Sequence, residues 1–468
     1  MLTNLQQVNR FPFWKICSIH YLQYPFGMLI YFHNILGGLF LENLIDKDKV
    51  HEVMKFQNIK TQQELAALMG ITKNQVSVLL SSKANPFKSN FIKLCTTLNV
   101  EPTEILHQQK EHHSKEKVKK KEELFVDTSK VVAKRFYNSV ELFAGAGGLA
   151  LGLEKAGFQE QALVEIDKYA TETLRKNRPK WNVLEKDIIE VANTGIKKYL
   201  PKNMKIDFVS GGYPCQAFSY AGRKMGLEDV RGTMFYYFAQ IIEELNPKVF
   251  LAENVKGLTT HDNGKTLQTM IDIYEDLGYT VSWHIVKAVN YNVAQKRERV
   301  IIIGVRNDLK VPYRLPEPYD FKPVLRDVLQ NVPKSLGEKY PEKKKKVLDI
   351  VPAGGYWRDL PQEIAKEYMG KSYYSGGGRT GMARRISWEE PCLTLTCSPA
   401  QKQTERCHPE ETRPFTVREY ARIQSFPDDW DFVGAMGQQY KQIGNAVPVE
   451  MAKAVGLSIV DLLNKTED

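Results

Sequence analysis

Cys215 lies in a stretch whose composition suits covalent chemistry. The strand-like run Lys205-Ile206-Asp207-Phe208-Val209-Ser210 leads into Gly211-Gly212-Tyr213-Pro214-Cys215-Gln216-Ala217-Phe218-Ser219. The glycines let the backbone turn sharply and approach a ligand closely. Pro214 fixes φ and stiffens the loop. A cysteine at the carboxyl end of a strand stands where open α/β sheets place their ligands. A positioned, ionised thiol is a nucleophile there. A lone cysteine is more commonly buried and inert, and this stretch alone fits both readings.

Three other clusters carry reactive or ligand-binding groups. Ala252-Glu253-Asn254-Val255 follows a buried run, a costly place for a carboxylate without a partner or a task. Gln295-Lys296-Arg297-Glu298-Arg299 reads at first as a solvated charge run. Arg297 and Arg299 alternate at strand spacing, however, and so share one face. Upstream, Glu141-Leu142-Phe143-Ala144-Gly145-Ala146-Gly147-Gly148 closes a strand and opens a helix. Its glycines let the backbone reach a nucleotide-like ligand. The spacing is not Gly-x-Gly-x-x-Gly and no Gly-Lys-Ser/Thr follows, which argues against a dinucleotide or P-loop site. Glu165 ends the next strand-like run, where nucleotide folds place an acid against ribose hydroxyls.

The elements that position these groups read as α/β. Strand-like runs are Ser139–Phe143, Ala162–Ile166, Ile206–Ser210, Lys248–Ala252, Val281–Ala288 and Arg299–Val305. Helical runs lie between them, including Leu149–Ala156, Tyr169–Arg178, Met234–Leu245 and Lys265–Leu277. This alternation predicts a mainly parallel sheet covered on both faces. Residues 308–408 break the rhythm with Pro, Gly and Lys clusters and read as a separate irregular domain. The α/β character returns in 409–468 and ends in a helix, Glu450–Leu463.

The chain of 468 residues has the 43% hydrophobic and 26% charged content of a soluble globular protein. Its net charge of +10 favours a polyanionic partner without proving one. Six scattered cysteines, with no Cys-x-x-Cys pair, indicate a reducing, cytoplasmic setting. Cys392, Cys397 and Cys407-His408 fit no standard zinc spacing. Residues 1–45 are aromatic-rich but broken by Pro and Gly, a poor membrane span and a poor signal peptide. They read as a start codon assigned too far upstream, or a loose arm. Residues 109–137 read as a basic linker.

Residues 46–108 read as short helices: Asp46–Gln57, Thr61–Met69, Thr72–Leu80, Lys88–Leu98 and Pro102–Gln108. Thr61-Gln-Gln-Glu64 is a capping box, Gly70 a stop and Thr72 the next cap. Leu65, Leu68, Ile71, Val76 and Leu79 share an inner face. The segment resembles the Cro/phage-repressor helix-turn-helix family, through Gln62-Gln63-Glu64-Leu65-Ala66 and Gly70-Ile71-Thr72-Lys73-Asn74-Gln75-Val76-Ser77. The resemblance implies an all-α DNA-binding domain. Its recognition helix would offer Lys73, Asn74, Gln75 and Ser77 to bases and phosphates. A helical interaction domain is the alternative.

Residues 138 to 464 resemble the DNA (cytosine-5)-methyltransferase family. The likeness rests on Phe143-Ala-Gly-Ala-Gly-Gly148, Pro214-Cys215-Gln216, Glu253-Asn254-Val255, Gln295-Lys-Arg297-Glu-Arg299 and Gln442-Ile-Gly-Asn445-Ala-Val, in that order. Arg418-Glu419-x-x-Arg422-x-Gln424-Ser-Phe-Pro427 adds to it. The resemblance implies a Rossmann-like S-adenosylmethionine-dependent methyltransferase sheet over 138–307, a small target-recognition domain over 308–408 and a return to the catalytic domain over 409–468. It implies Cys215 as the nucleophile toward a flipped cytosine in double-stranded DNA. Glu253 would bond ring nitrogen 3 and the exocyclic amine, Arg299 the base oxygen, and Arg297, counted with them in the catalytic set, would lie near the backbone. S-adenosyl-L-methionine would lie against Phe143, Gly145, Gly147, Gly148, Ile166 and Pro214. Glu165 would hold its ribose, Asp187 its adenine amine, and Asn445 its amino-acid end. Gln216, Ser219 and Arg231 would face DNA. In the recognition domain Arg358, Arg379, Arg384, Arg385 and Lys402 suit loops entering the major groove.

Two other functions remain for comparison. A tRNA cytosine-5 methyltransferase would show a Cys-Phe-Thr stretch and a small recognition insert, and neither is present. A transcriptional repressor is compatible with the helix-turn-helix, which could act on the protein's own promoter. The expected states are a monomer as an enzyme and a dimer as a repressor, with no membrane partner.

Overall fold

The computed structural model describes residues 45, 47–80, 91–98, 100, 124–214, 230, 232–374 and 381–467. The chain divides into two compact units, residues 1–118 and 119–468. The readings of residues 1–44 and of a helix over 102–108 lie outside the described residues. Among the described residues, no helix is long and apolar enough to cross a membrane.

In the first unit, α1 (Lys47–Phe56), α2 (Gln62–Leu68), α3 (Lys73–Leu79) and α4 (Phe91–Thr97) enclose Val50, Met54, Leu65, Met69, Val76, Leu79, Leu94 and Leu98. Leu68 was expected inside but is 63% exposed. Met69, one turn on from Leu65, takes the inner position instead. Thr61 Oγ1 accepts from the Glu64 amide at 3.2 Å. The expected box is not closed on Thr61, because Glu64 reaches past it to the Lys60 amide. Gly70 turns the chain at φ +57°, which glycine adopts without strain. At α3 a capping box is complete. Thr72 Oγ1 accepts from the Gln75 amide and Gln75 Oε1 from the Thr72 amide, at 3.3 and 2.8 Å.

The second unit is built on a seven-stranded sheet. Its strands are β2 (Tyr137–Leu142), β3 (Phe158–Glu165), β4 (Val183–Glu185), β5 (Phe208–Gly211), β6 (Val249–Val255), β7 (Tyr279–Lys287) and β9 (Glu298–Arg306), in the order β4-β3-β2-β5-β6-β9-β7. The pairs from β4 through β6 are parallel, whereas β9 runs antiparallel to both neighbours. Alternate residues serve opposite faces. Val209, Phe250 and Ala252 pack toward α8 (Met234–Leu245) and α9 (Lys265–Asp276). Phe208, Val249 and Leu251 pack toward α5 (Gly148–Ala156) and α15 (Val449–Asn464). A Cβ on Gly152 of α5 would lie 2.4 Å from Ala452 Cβ of α15, so glycine sets this close approach. The C-terminal helix thereby packs on the sheet.

Two regions differ from their sequence reading. Residues 124–137, read as linker, pack on the sheet. There β1 (Phe125–Val126) pairs with β10 (Leu315–Pro316), and Arg135 bridges Asp207 and Glu467. The irregular block holds α10 (Leu325–Val328), α11 (Glu342–Ile350) and α12 (Gln362–Met369). It has its own core around Leu348, Trp357, Leu360 and Met369. Yet Leu325, Ile386, Cys392 and Leu395 belong to a core shared with Phe415, Tyr420 and Tyr440. The strand β11 (Cys392–Leu393) pairs in parallel with β8 (Gln295–Lys296). The block is therefore fastened to the catalytic sheet.

Under α5 lie two buried carboxyls, Glu141 on β2 and Glu160 on β3, exposed by 1% and 7%. Neither Glu160 oxygen has a hydrogen-bond partner, and one Glu141 oxygen lacks one. Burial pushes Glu160 up to about 8 and Glu141 well above the usual carboxylate range. The folded state then holds protons that the unfolded chain has released above about pH 4.5. Stability should fall as pH rises from about 4.5 toward 8, by up to about 1.4 kcal/mol per pH unit for one such group. Urea unfolding across that range should show Glu160→Gln with the shallower slope. Equal slopes would contradict the assignment.

Candidate active site

The site follows from strand direction. The carboxyl ends of β2, β3, β4, β5 and β6 lie along one sheet edge, and β9, running the other way, starts there. Arg299 pairs with Val255 and Ile301 with Glu253. Arg299 therefore stands two residues from the position opposite Glu253, on the same face. Its Nε meets Glu253 Oε1 at 2.6 Å, with side-chain exposures of 12% and 14%. The pair is largely desolvated, and removing one member would strand the other charge.

Both loops beside this pair are tied to it. A Cβ on Gly212 would lie 2.7 Å from Glu253 Oε2, so the carboxylate occupies space that only glycine leaves open. Asn254 Nδ2 donates to the Tyr213 carbonyl at 3.0 Å and is buried. The Tyr213 ring packs against Phe235 and Phe238 and meets Phe143 edge-on at 6.5 Å. Glu253 is thus fixed beside the start of the Pro214 loop. Cys215, Gln216, Ser219 and Arg231 lie outside the described residues.

The glycine loop follows β2. Phe143, Gly145 and Gly147 have φ of +58°, +55° and +83°. For phenylalanine that conformation costs about 1–2 kcal/mol, so surrounding contacts impose it. A Cβ on Gly145 would meet nothing within 4 Å, whereas one on Gly148 would lie 2.3 Å from the Val447 carbonyl. One glycine faces open space and the other permits packing. Glu165 accepts from the amides of Gly145, Ile166 and Asp167 at 2.7, 2.9 and 2.7 Å. Ile166 is 66% exposed, an apolar surface beside that carboxylate. Asp187 follows β4 and caps α7 (Ile188–Thr194) through the Ile189 amide at 2.9 Å. An open glycine turn, an acid and an exposed apolar side chain fit a nucleoside-bearing donor.

Asn445 ends α14 (Met436–Asn445) and is exposed. Its Oδ1 accepts from Cys397 Sγ at 2.9 Å. Nearby, Lys441 Nζ bridges to Asp167 Oδ2 at 2.8 Å. In the sequence Cys397 reads only against zinc spacing, and nothing there marks Lys441 or Asp167. Nothing in sequence links residues so far apart.

Arg297 corrects the expectation. It is 1% exposed and donates to the carbonyls of Leu395 and Asn445, at 3.3 and 3.5 Å. Burial, and then the like charge of Arg299, push its pKa down, while Glu253 opposes this. It holds protein backbone and does not reach the surface, where a catalytic residue would meet a base. Arg384 and Arg385 are corrected likewise. Arg385 donates to the carbonyls of Leu348, Val351 and His408, and Arg384 pairs with Glu390. Arg358 and Lys402 are exposed, and Arg379 lies outside the described residues. In the first unit, Lys73, Asn74, Gln75 and Ser77 are exposed on α3, but Gln75 Oε1 serves the capping box. Only the amide nitrogen of Gln75 remains for DNA.

This arrangement defines a nucleotide-type methyltransferase sheet with a carboxylate–guanidinium pair beside Gly212 and Tyr213. Comparison with known proteins agrees. Residues 137–461 match the C-5 cytosine-specific DNA methylase family, and residues 50–105 match a helix-turn-helix family. The chain belongs to the C-5 cytosine-specific DNA methylases. It is 54% identical to the Type II methyltransferase M.Sau96I of Staphylococcus aureus over 429 residues, covering 90% of this chain and 99% of that one. It is 58% identical to M.Eco47II of Escherichia coli over 344 residues, covering 71% and 81%. A solved DNA modification methyltransferase encoded within an E. coli prophage matches with a TM-score of 0.53 and 26% identity, covering 70% and 99%. The chain is a DNA cytosine-5 methyltransferase carrying a helix-turn-helix domain, and the tRNA reading yields to this one.

Gly212→Ala tests the geometry. The added methyl displaces the end of the Glu253 side chain and strains its pair with Arg299, so the melting temperature should fall while the protein still folds. It should lower kcat about 100-fold by moving Glu253. Retention of full turnover by a folded Gly212→Ala protein would remove Gly212 from the site.

Proposed function

We propose that the protein transfers a methyl group from S-adenosyl-L-methionine to carbon 5 of a cytosine within a short specific site in double-stranded DNA. The observation that carries this reading is the Glu253–Arg299 pair beside Gly212, three residues before Cys215 in the sequence. A cytosine must leave the stack to reach it. The Cys215 thiolate adds to ring carbon 6. Glu253 donates a hydrogen bond or proton at nitrogen 3 and accepts one from the exocyclic amine, stabilising charge that builds on the ring. Arg299 holds both Glu253 and the base oxygen. Carbon 5 of the resulting enamine takes the methyl group. Loss of the carbon 5 proton then expels the thiolate and restores the aromatic ring.

The sulfonium donor supplies an electrophilic methyl group. The residues of this chain that would hold it are Phe143, Gly145, Gly147 and Gly148 on the loop, Glu165 at the ribose, Ile166 and Asp187 at the adenine, and Pro214 and Asn445 at the amino-acid end. Positioning DNA against this site is the proposed task of residues 308–408. The exposed face of α3, with Lys73, Asn74 and Ser77, suits a DNA groove. Binding to the protein's own promoter would limit expression of a Type II modification enzyme in the cytoplasm. A monomer would suffice for catalysis, and a dimer suits repression at a two-fold operator.

Cys215→Ser should abolish methylation, and a 5-fluorocytosine duplex should trap the unaltered enzyme covalently on a denaturing gel. Full activity of Cys215→Ser would overturn the mechanism. For the first unit, the full chain should footprint DNA upstream of its own gene. A Lys73→Ala/Asn74→Ala protein should lose the footprint while methylation persists. Absence of protection at every salt concentration would end the repressor proposal.

A further inference from the structure

Two glutamines with fully buried side chains join the segment after β11 to the end of α14. Gln295 on β8 and Gln424, which follows α13 (Val417–Ile423), are both 0% exposed. The Leu395 amide donates to Gln295 Oε1 at 3.0 Å. Gln295 Nε2 donates to Gln424 Oε1 at 2.9 Å. Gln424 Nε2 donates to the carbonyls of Ile443 and Ala446, at 2.8 and 3.1 Å, on either side of Asn445. The relay runs in one donor direction from Leu395 to the neighbourhood of Asn445. Buried amides bonded in series are costly to leave unpaired, so a shift at one end is transmitted rather than absorbed.

Two further contacts span the same gap. Arg297 donates to the Leu395 and Asn445 carbonyls. A Cβ on Gly444 would lie 2.5 Å from the Thr396 carbonyl oxygen and 2.8 Å from the Cys397 amide nitrogen. Backbone thus rests on backbone with no slack. At the far end, Thr394 Oγ1 donates to the Lys296 carbonyl at 2.9 Å, so the segment is also tied to the strand that precedes Arg297 and Arg299.

We propose that Gln295 and Gln424 are positioning residues that couple DNA binding to methyl-donor binding. The proposal rests on the reading above, in which Asn445 borders the donor and the recognition block faces DNA. Donor seated against Asn445 fixes the end of α14. The relay then fixes Leu395 and the Thr394–Cys397 segment on the DNA side. By linkage, DNA must tighten donor binding by the factor with which donor tightens DNA binding.

The test uses the full-length enzyme, S-adenosylhomocysteine as probe and a duplex carrying a site that bisulfite sequencing shows to be methylated. Calorimetry should find the probe bound about tenfold more tightly in the presence of the duplex. Gln295→Leu/Gln424→Leu removes the bond between the two glutamines without stranding either side-chain amide, while the Leu395 amide and the Ile443 and Ala446 carbonyls lose their side-chain partner. It should bring the coupling factor below about threefold while leaving probe affinity without DNA nearly unchanged. In the unaltered protein, which avoids any folding defect, the probe alone should slow hydrogen exchange at the Leu395 amide. A folded double variant with the full coupling factor would overturn the proposal. So would a Leu395 amide indifferent to the probe. Failure of the probe to bind the unaltered enzyme would refute the donor reading itself, and the coupling with it.

Discussion

The Glu253 carboxylate and the Arg299 guanidinium meet because β9 runs against β6. In a wholly parallel sheet the start of a strand lies at the opposite edge from the glycine loop, and no arginine there could reach the end of β6. The reversal brings Arg299 two residues from the position opposite Glu253, within one ion-pair distance. The rest of the site accommodates that pair. Gly212 leaves room for the carboxylate, and Asn254 ties down the next residue of the same loop. A charge pair this desolvated is worth little to stability by itself. Its value lies in holding an acid and a cation in fixed relation to whatever ring enters.

Strain and uncompensated burial concentrate around the same edge. Phe143 sits in the left-handed region at the end of β2, Glu141 is buried on that strand, and Arg297 is buried at the start of β9 without a carboxylate partner at ion-pair distance among the described residues. Each is unfavourable alone. Each is imposed by packing from another element: Tyr213 against Phe143, α5 over Glu141, and the segment at Leu395 with the end of α14 around Arg297. Local conformational preferences were overruled where loops from several strands had to converge.

The sheet was legible in the sequence because strands such as β5, β6 and β9 carry apolar runs that are buried on both faces. Ile206–Ser210, Lys248–Ala252 and Arg299–Val305 fall within a few residues of the observed β5, β6 and β9. The glycine loop and Glu165 were legible locally too. What escaped depended on partners supplied from a distance. Arg384 and Arg385 show their charge in the sequence, but the Glu390 carboxylate and the Leu348 and Val351 carbonyls that consume it arrive only with the fold. Gln75 presents an amide on a recognition helix, and a threonine three residues earlier takes its oxygen. Cys397 and Asn445 have no sequence signature as a pair.

The same reasoning narrows where a polyanion can be held. In the lysine run of α11, Lys343 pairs with Glu367, Lys344 with Glu405 and Lys345 with Asp349. Arg135 of the supposed linker is taken by Asp207 and Glu467. These charges already face acids, so among the described residues the lysine run of α11 offers less to DNA than its density along the chain suggests. Arg358 differs, and Lys402 does so in part, since its Nζ donates to the Tyr368 carbonyl. Both are exposed, and each lies over an aromatic ring, Trp357 at 5.2 Å and Tyr368 at 4.5 Å. A cation over a ring keeps its charge in solvent while its side chain is partly ordered. It therefore loses less conformational freedom on meeting a phosphate than a freely rotating lysine does. Among the described residues, exposure and pre-ordering together, rather than density of charge along the chain, decide which cations could meet a nucleic acid backbone at the least entropic cost.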